Sequence, residues 1–271
     1  DFAPLSSWHT VLIPSRQLQQ SQAHEPQDPE AQPKVMGSIF RFKQFDIEHT
    51  ASAMKVGTDG VLLGAWAEIP PHAASILDVG TGSGLIALMM AQRSSSAHIT
   101  GIEIDTAAAA EARANVQQSP WHERVSVICG DFISETADTK YDLIVSNPPF
   151  FTEDLHSPDS RRALARHGET LNPVSLLRKA SESVTADGSI ALITPASLDE
   201  EVGFTASLCR LNLLHQTHVC TKHDKQPSRT LWQFTPAEVS AKYDTLDIRN
   251  TAGQYTPQYL NLVNDFYLWL K

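Results

Sequence analysis

Strand-like and helix-like segments alternate through this chain for roughly 160 residues, and that alternation admits few folds besides a parallel sheet with helices on both faces. Strands are expected over residues 75–79, 98–104, 125–129, 141–146 and 189–194, and helices over 61–67, 85–92, 106–117, 174–185 and 198–208. Thr106 is expected to cap its helix. Two further strands, 213–221 and 229–234, are joined by a loop and not by a helix. A hairpin there places an antiparallel strand at the edge of a seven-stranded sheet. A short aromatic strand over 39–45 precedes the series, and no internal repeat is present.

The glycine-rich run Asp78-Val79-Gly80-Thr81-Gly82-Ser83-Gly84 follows the first of these strands and opens a helix. Alternate glycines let the backbone turn tightly and approach a ligand, and the following helix offers unpaired N–H groups. The spacing is G-x-G-x-G and not the G-x-G-x-x-G of a pyrophosphate cradle. Taken alone, the run also reads as a tight βα turn. Glu103, in Gly101-Ile102-Glu103-Ile104-Asp105, ends the next strand and can accept from both hydroxyls of a ribose; it also reads as a helix-start charge. Asp131, in Gly130-Asp131-Phe132, ends the third and can accept from an adenine amino group, with Phe132 packing nearby; by itself it is an ordinary loop carboxylate. All three fall at the carboxyl ends of successive strands, where open α/β sheets bind ligands.

The combination resembles the Rossmann-like class I methyltransferases, which implies S-adenosylmethionine as cofactor, S-adenosylhomocysteine as product and no metal. Asp78, Gly80, Gly82, Gly84, Glu103, Asp131 and Phe132 are then expected around the cofactor. After the fourth strand comes Asn147-Pro148-Pro149-Phe150. Two prolines fix the backbone and remove two donors. The Asn147 side-chain oxygen and the Pro148 carbonyl can accept from a planar amino group, while Phe150 stacks on the ring that bears it. Such a motif resembles that of enzymes methylating exocyclic or amide nitrogens, a class covering adenine, guanine and glutamine. Asn147, Pro148, Pro149 and Phe150 are therefore the candidate catalytic residues, with Asn147 also beside the cofactor.

Further segments narrow the choice. Phe42-Lys43-Gln44-Phe45, the run from Met54 to Trp66, the Phe150-Phe151 pair and the tail from Tyr255 to Leu268 resemble the tRNA(Val) adenine methyltransferase family. The resemblance covers residues 36–271 and implies transfer of a methyl group to the 6-amino group of the adenine beside the anticodon. It also implies that Lys55, Thr58 and Asp59 line the cofactor pocket. Another RNA amino group or a protein glutamine is the alternative target, and a cofactor-binding protein without catalysis is the alternative of another class.

A net charge of −10 means that any RNA surface must be a local patch. Three clusters are candidates: Arg161, Arg162, Arg166 and His167; Lys222, His223, Lys225 and Arg229; and Lys34, Arg41 and Lys43. Each also reads as a solvated face. Residues 1–35 are polar, without apolar periodicity, and are expected to form a flexible extension before a single domain over 36–271, with Met36 a candidate start. Three cysteines without paired spacing, Cys129, Cys209 and Cys220, fit reduced thiols. With neither a membrane-spanning run nor a signal-peptide pattern, the expectation is a cytoplasmic enzyme with a tRNA substrate and no obligate protein partner.

Overall fold

The computed structural model describes residues 38–49, 56–136, 139–149 and 170–270. The expected extension over 1–35, together with Lys34, Lys55, Phe150, Arg161, Arg162, Arg166 and His167, lies outside the described residues.

Hydrophobic alternation builds the sheet. Strands β3 (Ser75–Val79), β4 (His98–Glu103), β5 (Val125–Cys129), β6 (Tyr141–Ser146) and β7 (Val184–Pro195) run parallel, in the order β7-β6-β3-β4-β5. Successive residues along them belong to opposite cores. Ile76, Leu143, Ala191 and Ile193 pack with helices α1 (Thr58–Trp66), α2 (Leu85–Arg93) and α3 (Thr106–Gln118). Leu77, Ile144, Ile190 and Leu192 pack instead with α4 (Pro173–Ser183) and α5 (Asp199–Leu208). Both faces of β3, β6 and β7 are buried, which is why those strands read as apolar runs, while β5 at the edge is largely exposed.

The expected hairpin is present: β8 (Asn212–Cys220) and β9 (Arg229–Thr235) pair antiparallel, and β9 pairs antiparallel with β7. The sheet has eight strands where seven were expected. β10 (Lys242–Asp247) pairs parallel with β8, so β8 and β10 both lie beyond the antiparallel strand β9 and the outer edge is a parallel strand. Its polar sequence, with Leu246 alone buried, carries no strand signal of its own; it is recruited by the open edge of β8.

Three local expectations are corrected. The aromatic segment over 39–45 is not one strand: β1 (Ser38–Arg41) and β2 (Asp46–His49) form an antiparallel hairpin, closed where Phe42 N–H donates to Phe45 O at 2.9 Å. The stacked rings of Phe42 and Phe45, 4.6 Å apart, favour the bend over extension. Asp105, not Thr106, caps α3, accepting from Ala108 N–H at 2.8 Å, because a cap must precede the first helical residue. The helix expected over 174–185 stops at Ser183, and Val184 already belongs to β7. A final helix, α6 (Pro257–Val263), packs against α1. Among the described residues no helix is long and apolar enough to cross a membrane.

Candidate functional site

Strand register brings the sequence motifs together. Val79 pairs with Ser146 on one side and Ile102 on the other, and Glu103 pairs with Cys129. Gly80, Asn147, Glu103 and Gly130 therefore stand at the carboxyl ends of four neighbouring strands, spread over about 14 Å at ~4.8 Å per strand.

The glycine turn is left-handed at three points, with φ of 67° at Gly80, 55° at Gly82 and 85° at Gly84. Among the described residues, a Cβ at Gly82 would meet no protein atom within 4 Å, which leaves this side of the turn open. The turn is held from three directions. Ile102 O accepts from Gly80 N–H at 2.9 Å and from Thr81 N–H at 3.1 Å. Glu103 Oε2 accepts from Gly82 N–H at 2.9 Å, while its Oε1 accepts from Asp105 N–H at 3.0 Å. Asp78 lies beneath the turn, 1% exposed, and its Oδ2 accepts from the Thr81 hydroxyl at 2.6 Å and from Ala87 N–H at 3.0 Å.

Burial pushes the Asp78 carboxyl up to about 7, with Glu103 adding to the rise and the Thr81 and Ala87 hydrogen bonds opposing it. Its second oxygen, Oδ1, is buried without a hydrogen-bond partner among the described residues. Asp78 thus acts on the site through the turn it holds.

Asp131 Oδ1 accepts from Ile133 N–H at 3.0 Å, closing a tight turn after β5. Phe132 is buried in the core under α4, so it anchors that turn. Asn147 follows β6, and its Oδ1 is buried without a hydrogen-bond partner among the described residues. The backbone beneath it is fixed by Ser146, whose hydroxyl donates to Val79 O at 2.8 Å and ties the ends of β6 and β3 together. Pro148 is buried and Pro149 exposed.

Thr58 and Asp59 open α1 beside the glycine turn: a Cβ at Gly60 would sit 3.1 Å from the side chain of Leu85, the residue after Gly84. Asp59 Oδ2 accepts from Arg229 Nε at 2.8 Å. The structure thereby pairs one expected cofactor residue with one expected RNA residue. Lys222 and Lys225 lie in the turn between β8 and β9, with Lys225 N–H donating to Lys222 O at 3.1 Å. On the N-terminal hairpin, Lys43 Nζ donates to Asn264 O at 2.7 Å, and Arg41 lies 3.7 Å from Asp46.

One supporting residue was not legible as such. Asn115, inside the Ala-rich α3, donates from Nδ2 to Ser83 O and to Glu48 O, both at 2.9 Å, and accepts from Glu48 N–H at 2.9 Å. It clamps the glycine turn to β2. A buried asparagine in a helix interior is the only trace it leaves in the sequence.

The glycine turn, Glu103, Asp131 and the buried Asn147 Oδ1 thus stand at neighbouring strand ends along the carboxyl edge of the sheet. Residues 56–218 match the family model "Methyltransferase small domain". A tRNA1(Val) (adenine(37)-N6)-methyltransferase from Porphyromonas gingivalis is 46% identical over 244 residues, covering 84% of this chain and 94% of that protein. The chain belongs to this methyltransferase family. Relatives of the same name from Bacteroides thetaiotaomicron and Aeromonas hydrophila are 42% and 41% identical, each covering 98% of the relative. Among solved structures, a predicted O-methyltransferase, protein Atu636 from Agrobacterium tumefaciens, superposes with a TM-score of 0.62 at 19% identity, covering 77% of this chain and 96% of that one. That likeness concerns the fold. The enzyme is S-adenosylmethionine-dependent.

Proposed function

We propose that Asn147 and Pro148 hold the exocyclic amino group of the target adenine at the methyl-transfer site, with Phe150 against the base. The chain methylates N6 of an adenine in tRNA(Val), and position 37, beside the anticodon, is the nucleotide its relatives' names specify. One observation carries the assignment: the Asn147 Oδ1 atom is buried at the end of β6 with no hydrogen-bond partner among the described residues. Leaving a buried acceptor unsatisfied costs about 1–3 kcal/mol. An amino group seated there would recover that cost, and an adenine N6 has two hydrogens to give.

S-adenosylmethionine, when bound, supplies a methyl group on a positively charged sulfur. The residues around it fit such a ligand: open space at Gly82, Glu103 at the end of β4 and Asp131 at the end of β5. Gly80, Gly84, Thr58, Asp59, Asp78 and Phe132 shape or support the same space, and Lys55 is proposed to line it. Accepting hydrogen bonds from both amino hydrogens keeps electron density on the nitrogen and fixes its orientation. The nitrogen is itself the nucleophile, so the protein forms no covalent intermediate, and the surplus proton passes to water. A base already in a single-stranded loop costs less to extrude. Arg161, Arg162 and Arg166 are proposed to meet the RNA backbone beside the pocket, and the enzyme is proposed to work in the cytoplasm, where its substrate is.

Single-turnover methylation of tRNA at saturating cofactor tests the assignment. Asn147→Ala should slow transfer by about 100-fold or more, the scale of losing one oriented hydrogen-bonding group at a reacting centre. Cofactor affinity should be nearly unchanged. Transfer close to the wild-type rate would overturn the role of Asn147.

A further inference from the structure

We propose that a second tRNA contact surface lies at the outer end of the sheet, built from the Lys222–Lys225 turn and an aromatic stack comprising Arg249, Tyr255 and Trp269. The inference rests on tRNA being the substrate, and adds a surface remote from the methyl-transfer pocket.

The elements are physically continuous. His223 N–H, within the turn, donates to Arg249 O at 2.7 Å, so the lysine turn and the chain leaving β10 are tied together. The Arg249 guanidinium lies 4.0 Å from the centre of the Tyr255 ring and donates from one nitrogen to Gly253 O at 2.7 Å. Tyr255 stacks on Trp269 with ring centres 5.3 Å apart, and Trp269 on Tyr267 at 5.4 Å. Trp269 nevertheless remains 53% exposed, an unusual amount of indole surface to leave in water.

The location suits a large substrate. Cys220 and Asp247 end β8 and β10 in paired register, at the same end of the sheet as the glycine turn and Asn147. Four strand spacings separate β10 from β6, about 19 Å at ~4.8 Å each. That places the ends of β8 and β10 to one side of Asn147 along the same end of the sheet.

The charge is also of the right sign. Lys222, Lys225 and Arg249 are permanent cations, and His223 gains basicity from its hydrogen bond to Asp247 and from nearby Asp224. Asp224 and Asp247, beside this cluster, are both engaged by His223, at 3.3 and 2.5 Å. In a chain with a net charge of −10, this local excess of cations is distinctive. Cations beside a partly exposed aromatic stack match a phosphate backbone with an unpaired base, since stacking tolerates any base and the cations follow the strand.

Two measurements on the full chain with full-length tRNA decide the matter. Lys222→Ala/Lys225→Ala and Trp269→Ala should each raise KM for tRNA about tenfold, with kcat and cofactor affinity unchanged. The lysine pair should also lower the salt slope of tRNA binding by about 1.5, at 0.7–0.9 per phosphate. Retained kcat keeps the substrate assignment separate from the surface assignment. Independently of any variant, saturating tRNA should protect Lys222 and Lys225 of the wild-type enzyme from an amine-acylating reagent. Unchanged KM and salt slope, or lysines that acylate equally fast with and without tRNA, would overturn the proposal.

Discussion

Arg229 Nε and Asp59 Oδ2 stand 2.8 Å apart, joining the start of β9 to the first turn of α1 across 170 residues of sequence. The side chains are 34% and 26% exposed, so the pair is screened in part and its worth as a stabilising contact is small. Its consequence is positional: it holds α1 beside the glycine turn. Arg229→Ala and Asp59→Ala are expected to weaken cofactor binding in a non-additive way. A double-mutant cycle by calorimetry should give a coupling of about 0.5–1 kcal/mol. Additive losses would mean that the two residues act independently.

Glu103 binds protein in addition to its proposed contact with the cofactor. Its two oxygens accept from Gly82 N–H and Asp105 N–H, at 2.9 and 3.0 Å. Glu103→Ala removes both supports and any ribose acceptor together. Affinity for S-adenosylmethionine should fall about tenfold or more, each hydrogen bond contributing about 0.5–1.5 kcal/mol and more to a charged acceptor. Glu103→Gln keeps one carbonyl oxygen and should recover part of the loss. An alanine variant that binds as tightly as wild type contradicts the role.

Asp78 makes stability depend on pH in a defined direction. Its carboxyl is raised from 3.8 to about 7 in the folded protein, chiefly by burial. Below the ordinary carboxylate range both folded and unfolded chains hold the proton. Between about pH 4 and 7 the unfolded chain releases it while the folded chain keeps it, so the folded state loses ground as pH rises. Above pH 7 both forms are ionised and the loss, on the order of 4 kcal/mol from this group, stays constant. Asp78→Asn keeps an acceptor for Thr81 and Ala87 without that titration. Thermal melts of the cofactor-free protein should show the wild type losing stability relative to Asp78→Asn from pH 4 to 7, then running parallel to it. A pH-independent difference would exclude Asp78 as the titrating group.

Two glycines should respond differently to the same added methyl. At Gly82 the backbone φ of 55° strains any side chain, by about 1–2 kcal/mol, but no atom of the described residues lies within 4 Å of the new Cβ. Gly82→Ala should therefore melt slightly early and lose cofactor affinity out of proportion, because the methyl enters the ligand's space. At Gly101 a Cβ would meet Thr81 Cγ2 and Oγ1 at 2.9 Å. Thr81 is pinned by Asp78, so Gly101→Ala should cost more stability than Gly82→Ala. Melting temperatures in the reverse order would show that Thr81 yields.

The order of strands and helices was determined by the sequence, because each element's signal is local. β3, β5 and β6 begin and end where apolar periodicity places them, and the glycine turn sits between strand and helix as its spacing requires. The strand ends that carry Glu103, Asp131 and Asn147 follow from the same pattern, since parallel strands with buried faces have little freedom of register. What those side chains hold was decided by the tertiary structure alone. Glu103 spends hydrogen bonds on a glycine 21 residues earlier, and Asn115 reaches back 67 residues to Glu48 and 32 to Ser83. β10 is a strand because β8 offers it an unpaired edge, not because its own residues alternate. Hydrogen bonds and edge pairing form between groups brought together by folding, so they leave no periodic trace in the chain that contains them.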